Sequence, residues 1–234
     1  WQVSFTLDCC KALKSCIASP GRERCSLNSA NKLAVIGGTF DPVHYGHLIA
    51  AEHARVELGI DKVVFIPSAR PPHKANEKVT DWEHRCRMLQ LAIEDNPAFE
   101  ISSLEGPQRG ISYTIDTIHS LQKANPERKI YFVMGADALL TIDTWKDYRQ
   151  LIDLCCFVVV TRPNYTLDRS HPVLAALPEH WWQQMKQVEI PLMDISSTDI
   201  RRRVASGKTI RYLLPDAVRE YILQNNLYRG GMIS

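Results

Sequence analysis

The sequence has no long apolar run, no internal repeat and no paired cysteine spacing, and each absence excludes a class of protein. No run approaches the roughly 20 apolar residues that a membrane span needs. The seven cysteines contain no C-x-x-C pair and no even secreted framework, which favours a reducing compartment. The net charge of +2 does not indicate a general nucleic-acid surface. We therefore expect a cytoplasmic protein that binds neither membranes nor nucleic acid.

The first 31 residues differ in composition from the rest of the chain. They hold four of the seven cysteines, and Asp8, Lys11 and Lys14 interrupt anything like a signal-peptide core. We interpret residues 1–31 as a loose or non-native extension and residues 230–234 as a tail. The remaining 32–229, in a chain of 234 residues with 45% apolar content, are long enough to bury one full core.

From Lys32 onward, short apolar runs alternate with helical patterns, which is typical of an α/β doubly wound parallel sheet in a single domain. Thr80 and Glu83 form a capping-box pattern before one predicted helix, over 81–93, and Ser112 is a candidate cap for another. The predicted strands are Leu33–Ile36, Lys62–Ile66, Phe99–Ser102, Lys129–Met134, Phe157–Thr161 and Val188–Leu192.

Two glycines and two histidines follow the first predicted strand. Gly37 and Gly38 let backbone N–H groups approach anionic oxygens, and a helix that starts between residues 42 and 46 adds the positive end of its dipole. His44 and His47 can donate to the same oxygens. They can also be interpreted as zinc ligands, although no cysteine or acidic cluster at metal spacing supplies the others. The next glycine, Gly46, is too distant for a G-x-G-x-x-G dinucleotide fingerprint.

A second candidate segment, Ile195 to Arg201, reads as the start of a helix. Ser196 or Ser197 is the predicted N-cap, so free N–H groups, hydroxyls and a guanidinium can face a triphosphate. Residues 207–209 imitate the end of a P-loop, but the glycine that pattern requires is replaced by Arg202. Gly207 is a better candidate for a helix C-cap.

Ligands of doubly wound sheets bind beyond the carboxyl ends of the strands. Five candidate segments follow predicted strands in this way, and we therefore expect them to meet on one edge of the sheet. They are residues 37–47, 67–74, 135–137, Arg162 and 195–201.

The two motifs together identify a family. G-G-T-F-D-P-V-H-Y-G-H and I-S-S-T-D-I-R resemble the two marks of the (H/T)-x-G-H nucleotidyltransferase superfamily. Within it, residues 32–229 resemble the bacterial nicotinate-nucleotide adenylyltransferases. The supporting stretches are Pro71–Lys74, Ser112–Thr114, Gly135–Asp137, Thr144–Trp145 and Thr161–Pro163.

This resemblance implies a Rossmann-like nucleotidyltransferase fold and transfer of AMP from ATP to nicotinate mononucleotide, with Mg²⁺ carried by ATP. It implies that His47 contacts the α-phosphate and that His44 reaches the same region. The implied ATP-binding residues are Gly37, Gly38, Thr39, Phe40, Ile195, Ser197, Thr198, Arg201 and Lys74. The implied acceptor-binding residues are Thr114, Asp137, Trp145 and Arg162.

Two other functions stay open at this point. One is pantetheine-phosphate adenylyltransferase activity, and the other is a non-catalytic regulator that senses pyridine nucleotides. The residues do not show how the pyridine carboxylate is distinguished from the amide, so the nicotinate preference rests on the resemblance. Strand order and oligomeric state are equally open.

Overall fold

The computed structural model describes residues 32–69 and 79–229. The predicted extension 1–31, the tail 230–234 and Lys74 lie outside these residues. The described strands are β1 Lys32–Gly38, β2 Lys62–Pro67, β3 Phe99–Ile101, β4 Lys129–Gly135, β5 Cys156–Thr161 and β6 Lys186–Glu189. The helices are α1 Tyr45–Glu57, α2 Trp82–Ile93, α3 Thr114–Ala124, α4 Ala136–Leu139, α5 Tyr148–Leu154, α6 Pro172–Ala175, α7 Glu179–Gln184, α8 Ser197–Ala205 and α9 Asp216–Gln224.

The six strands form one parallel sheet in the order β3-β2-β1-β4-β5-β6. Ile36 at the centre of β1 is in register with Phe65 of β2 and Val133 of β4. Strand order reverses between β1 and β4, and the crevice beyond such a reversal is where doubly wound sheets bind ligands. The predicted fold class is confirmed, and the loop after β1 lies at this reversal.

The sheet is covered on both faces, because alternate residues of each strand point to opposite sides. On one face Ala34 and Ile36 pack with buried residues of α1, α2, α8 and α9. On the other, Leu33 and Val35 pack with residues of α3 to α7, including the fully buried Trp181. Four of the six strands, β1, β2, β4 and β5, carry runs of buried side chains, as expected for strands covered on both faces.

The adjacent cysteines Cys155 and Cys156 lie in different cores. Only Cys156 belongs to β5, whereas Cys155 ends α5. Both are buried free thiols. In the described part of the chain, no helix is long and apolar enough to cross a membrane.

Three local predictions are wrong. The sixth strand is Lys186–Glu189 rather than 188–192, because this edge strand pairs only with β5 and buries only Val188. Thr80 forms no capping box, since the N-cap of α2 is Asp81 and no side chain caps this helix. Ser112 does not cap α3, which begins after Tyr113, and its side chain is instead buried.

Candidate active site

Residues 37–44 comprise the last two residues of β1 and the loop that follows, and they are called the phosphate loop below after the role that the sequence predicts for them. It turns at Phe40, which has a left-handed φ of 49° and a buried ring. That ring lies over Gly38, where an added Cβ would be 3.1 Å from its nearest atom. Gly38 is therefore required by the close approach of Phe40 as well as by any ligand. The ring also meets His47 edge-on at 5.1 Å.

His44 and His47 form a stacked pair at the start of α1. His44 is the N-cap of the helix, and the two ring centroids are 3.8 Å apart. The backbone N–H of His44 donates to Nδ1 of His47 over 3.3 Å. A ring nitrogen that accepts a hydrogen bond carries no proton, so neutral His47 carries its proton on Nε2. The backbone thus fixes the tautomer that can donate outward.

Both imidazoles are neutral near pH 7. Burial lowers the pKa of His44 to about 4, and burial with the nearby His44 ring lowers the pKa of His47 well below its usual value. Nδ1 of His44 is buried and has no hydrogen-bond partner among the described residues. The pair therefore offers hydrogen-bond donors without a fixed positive charge.

Gly46 makes room for this arrangement. A Cβ at Gly46 would lie 3.0 Å from Cε1 and Nδ1 of His44 and 3.8 Å from the carbonyl oxygen of Ile195. The glycine between the histidines therefore allows the first histidine ring and the second motif to approach the helix start together.

The second motif begins α8 and contacts the phosphate loop directly. Ser196 is the N-cap, and its hydroxyl accepts the N–H of Asp199 over 3.1 Å, as one of the two predicted caps requires. The hydroxyl of Ser197 donates to the carbonyl of Pro42 over 2.8 Å. Arg201 donates to the carbonyl of Asp41 over 2.7 Å. The predicted meeting of the two motifs is therefore observed.

The two arginines that follow Arg201 form ion pairs within α8. Both Arg202 and Arg203 bond to the carboxylate of Asp199, and these hydrogen bonds lower the pKa of that carboxyl. Arg201 is thus the arginine of this run that faces the phosphate loop. Gly207 has a left-handed φ of 68° one residue after the C-cap of α8, as predicted for a helix end.

A fully buried arginine ties the loops around the site together. Arg85 on α2 is 1% exposed and donates to four backbone carbonyls, those of Thr39 (2.7 Å), Ser68 (2.8 Å), Ala69 (3.5 Å) and Thr80 (2.7 Å). These carbonyls come from the phosphate loop, from the two residues after β2 and from the segment before α2. Burial lowers the pKa of Arg85, and the nearby carboxylate of Asp41 opposes that fall.

The proposed acceptor side lies along α3 and the ends of β4 and β5. Trp145 is half-buried, with its ring edge-on to Phe132 at 6.0 Å. Lys146 lies 4.7 Å over the ring of Tyr113 and 3.1 Å from a carboxylate oxygen of Asp116. Nearby is a cavity of about 330 Å³ lined by Leu104, Glu105, Ile111, Ser112, Tyr113, Asp116 and Thr117. Burial raises the pKa of Glu105, although Thr117 donates to it over 2.7 Å.

The four acceptor candidates occupy different positions. Thr114 is the first residue of α3, and Asp137 is exposed on α4, directly after β4. Arg162 follows β5 and forms a long, exposed contact of 3.9 Å with Asp194. Such a pair contributes little to stability, so the guanidinium is accessible to an anion. Within the described residues, no hydrogen bond or ion pair joins Trp145 or Arg162 to either motif, and Arg162 pairs with Asp194, which directly precedes the second motif.

Comparisons with known proteins decide the family. The cytidylyltransferase-like family model matches residues 35–203. The chain is 48% identical over 199 residues to a nicotinate-nucleotide adenylyltransferase of Moorella thermoacetica, covering 85% of this chain and 92% of that protein. A relative of the same name from a Thermoanaerobacter species is 46% identical, with 85% and 94% covered. The chain belongs to the nicotinate-nucleotide adenylyltransferase family.

Solved structures of more distant members show the same fold. Plasmodium falciparum nicotinic acid mononucleotide adenylyltransferase complexed with NaAD superposes with a TM-score of 0.68 at 20% identity, covering 85% of this chain and 97% of that one. The same enzyme complexed with APC gives a TM-score of 0.67 at 19% identity, with the same coverage. The six-stranded parallel sheet of this chain therefore has the fold of these solved structures.

Sequence reasoning did not identify three residues whose side chains form hydrogen bonds in or to the phosphate loop of this chain. They are Asp41, Arg85 and Tyr228. Arg85 had a detectable signal, since it shares an i, i+3, i+4 pattern with the buried Met88 and Leu89 and is thus a charge in a core register. The zinc interpretation finds no support in residues 32–69 and 79–229, where no group of three or more potential ligands is close enough for a metal ion.

Proposed function

We propose that this nicotinate-nucleotide adenylyltransferase moves AMP from ATP to nicotinate mononucleotide, producing nicotinate adenine dinucleotide and pyrophosphate. The direct contact between the two motifs at the reversal of strand order carries the proposal. This contact supports the proposal, because two neutral imidazoles, a helix N-terminus and a guanidinium then lie near the same reversal of strand order. That set suits a triphosphate that reacts at its α-phosphorus.

The reaction needs positioning and charge stabilisation more than proton transfer. The 5′-phosphate of the acceptor is ionised at neutral pH and attacks the α-phosphorus in line as pyrophosphate leaves, so no general base or covalent intermediate is needed. Negative charge grows on the α-phosphate oxygens and on the leaving group. Nε2–H of His47 is the donor we assign to the α-phosphate, with His44 beside it.

The triphosphate is assigned to the phosphate loop and to the start of α8. Backbone groups of residues 37–40, with Ile195, Ser197 and Thr198, supply neutral contacts, and Arg201 supplies the positive charge. Lys74 is assigned to the same ligand from its sequence position. Mg²⁺ arrives with ATP as part of the substrate, held by phosphate oxygens and water.

The acceptor is assigned to the other side of the crevice. Trp145 offers an aromatic surface to the pyridine ring, Asp137 an acceptor to ribose hydroxyls, and Arg162 a fork to the 5′-phosphate. Thr114 lies at the start of α3, where N–H groups and a hydroxyl are available to the pyridine carboxylate. We assign the reaction to the cytoplasm, which the free thiols Cys155 and Cys156 favour.

Pyrophosphate release tests the proposal. The protein is supplied with Mg-ATP and, separately, with nicotinate mononucleotide, nicotinamide mononucleotide or phosphopantetheine. We expect strong preference for the nicotinate compound. Turnover confined to phosphopantetheine would instead indicate a pantetheine-phosphate adenylyltransferase. Tight binding of pyridine nucleotides without turnover would indicate a sensor.

The role of His47 is tested by His47→Ala, with His53→Ala on the same helix as the control. Loss of one transition-state donor predicts a fall in kcat of about a hundredfold or more with ATP binding largely kept. His53 lies further along α1 and has no assigned contact with substrate. If His47→Ala raised KM and left kcat unchanged, the assigned role would be wrong.

A further inference from the structure

The carboxylate of Asp41 faces away from the crevice, although its residue belongs to the phosphate loop. Asp41 is 4% exposed, and both of its carboxylate oxygens accept hydrogen bonds. Oδ1 accepts the hydroxyl of Tyr228 over 2.7 Å, and Oδ2 accepts the backbone N–H of Thr80 over 3.1 Å. The carboxylate is thus used to hold the loop from behind.

Tyr228 reaches Asp41 from the turn after α9, 187 positions away in the chain. Its backbone has a left-handed φ of 61°, which is unusual for a bulky residue. Phe40, which immediately precedes Asp41, is also left-handed. Backbone conformations of this kind persist where surrounding contacts fix them, and they concentrate at functional sites. The hydrogen bond therefore joins two segments that are both held in uncommon conformations.

The phenol is set in an environment that favours its protonated, donating form. Burial raises the pKa of Tyr228, and the carboxylate of Asp41 raises it further. The ring also packs against the core beneath α1, α2 and α9. A phenol that donates to a carboxylate makes a short, strong hydrogen bond, so this contact resists displacement by water.

We infer that Tyr228 is a positioning residue for the phosphate loop, acting through the Asp41 carboxylate. The inference rests on the proposed function. Arg201 donates to the Asp41 carbonyl from the crevice side, while Tyr228 fixes the side chain of the same residue from behind. The backbone that bears the phosphate contacts is therefore clamped between the second motif and the turn after α9.

The test is Tyr228→Phe, with Tyr221→Phe as a matched control. Tyr221 is in α9, and its hydroxyl makes a hydrogen bond of 2.8 Å with Nδ1 of His84 in α2. The control variant therefore also loses one hydrogen bond of a tyrosine hydroxyl, but that bond does not involve the phosphate loop. We expect kcat to fall by about tenfold to a hundredfold in Tyr228→Phe, because small misplacements of the reacting groups are costly. We expect Tyr221→Phe to lose about as much thermal stability as Tyr228→Phe but to keep its kcat.

Amide hydrogen exchange gives a readout that does not depend on turnover. Tyr228→Phe should speed exchange at residues 37–41 relative to Tyr221→Phe, and Asp41→Asn should produce the same pattern. Unchanged loop exchange in Tyr228→Phe, or a kcat equal to that of the control, would overturn the inference. Absence of turnover in the unmodified protein would instead overturn the proposed function, and loop exchange would then decide the positioning role alone.

Discussion

Nη1 of Arg201 donates to the backbone carbonyl of Asp41 over 2.7 Å, across 160 positions of sequence. This bond joins the loop after β1 to the helix after β6, from a central strand to an edge strand. Because the carbonyl is a backbone group, the contact fixes the path of the loop as well as the direction of the guanidinium. Nη2 of Arg201 also donates to the hydroxyl of Thr198 over 3.4 Å, so the guanidinium lies between the loop and the first turn of α8.

Replacing Arg201 by lysine should disrupt the hydrogen bond to the Asp41 carbonyl while keeping the positive charge. A lysine cannot hold a carbonyl and a phosphate with one planar fork. We expect KM for ATP to rise about tenfold and kcat to fall. The matched control is Arg202→Lys, because Arg202 is exposed and bonds to Asp199 instead. Steady-state kinetics of both variants give the measurement, and equal kinetics would contradict a special role for Arg201.

Gly46→Ala should separate stability from activity. Alanine favours a helix over glycine by about 1 kcal/mol, so α1 itself is not weakened by the change. The new Cβ, however, would press on the His44 ring at 3.0 Å. We expect kcat to fall by about tenfold, since the stacked histidine pair must shift. Thermal unfolding measured beside kcat checks this, and full activity would show that the ring can move freely.

The buried His44 predicts a pH dependence of stability. Its folded pKa of about 4 lies below the unfolded value of 6.5, so the unfolded state binds more protons between these values and stability falls as pH falls. The full contribution is present above about pH 6.5. Lowering the pH from about 7 to 5 should therefore reduce the free energy of unfolding by about 2 kcal/mol through His44.

Urea unfolding of the unmodified protein and of His44→Gln at both pH values measures the effect. The variant lacks the titrating ring, so its stability should decline less over that range. An identical decline in both proteins would show that other groups cause it.

Arg85→Lys should destabilise the protein and loosen the site. Lysine can satisfy at most part of the set of carbonyls that Arg85 bonds, and the others would be left buried and unpaired. We expect a loss of about 2 to 4 kcal/mol in the free energy of unfolding. Arg87→Lys on the exposed side of α2 is the control and should change stability by less than about 0.5 kcal/mol. Urea titrations at neutral pH distinguish the two variants.

The sequence predicted the central part of the fold well because it is strongly patterned. β1, β2, β4 and β5 are runs of buried apolar residues, and their predicted bounds agree with the structure within two residues. β6 was misplaced because an edge strand with one buried residue has little periodic signal. Thr80 failed as a cap because tertiary partners take its backbone groups, its carbonyl going to Arg85 and its N–H to Asp41.

The candidate site also has a part that the sequence predicts and a part that it does not. The contact between the two motifs was predictable, because both follow parallel strands whose carboxyl ends share one edge. The residues that hold the phosphate loop from behind were not predictable. Arg85 bonds to backbone carbonyls, which every residue type has, and Tyr228 reaches Asp41 from a distant turn. Such contacts depend on the folded path of the backbone and leave no local pattern in the sequence.

The hydrogen bond between Asp41 and Tyr228 has a consequence for folding during synthesis. A ribosome releases the first of these residues long before the second, and contacts of such high sequence separation form late. A nascent chain that has completed β1 to β5 would thus already contain most of the sheet without a finished nucleotide crevice. Competence to capture ATP should arise only when the closing turn leaves the exit tunnel.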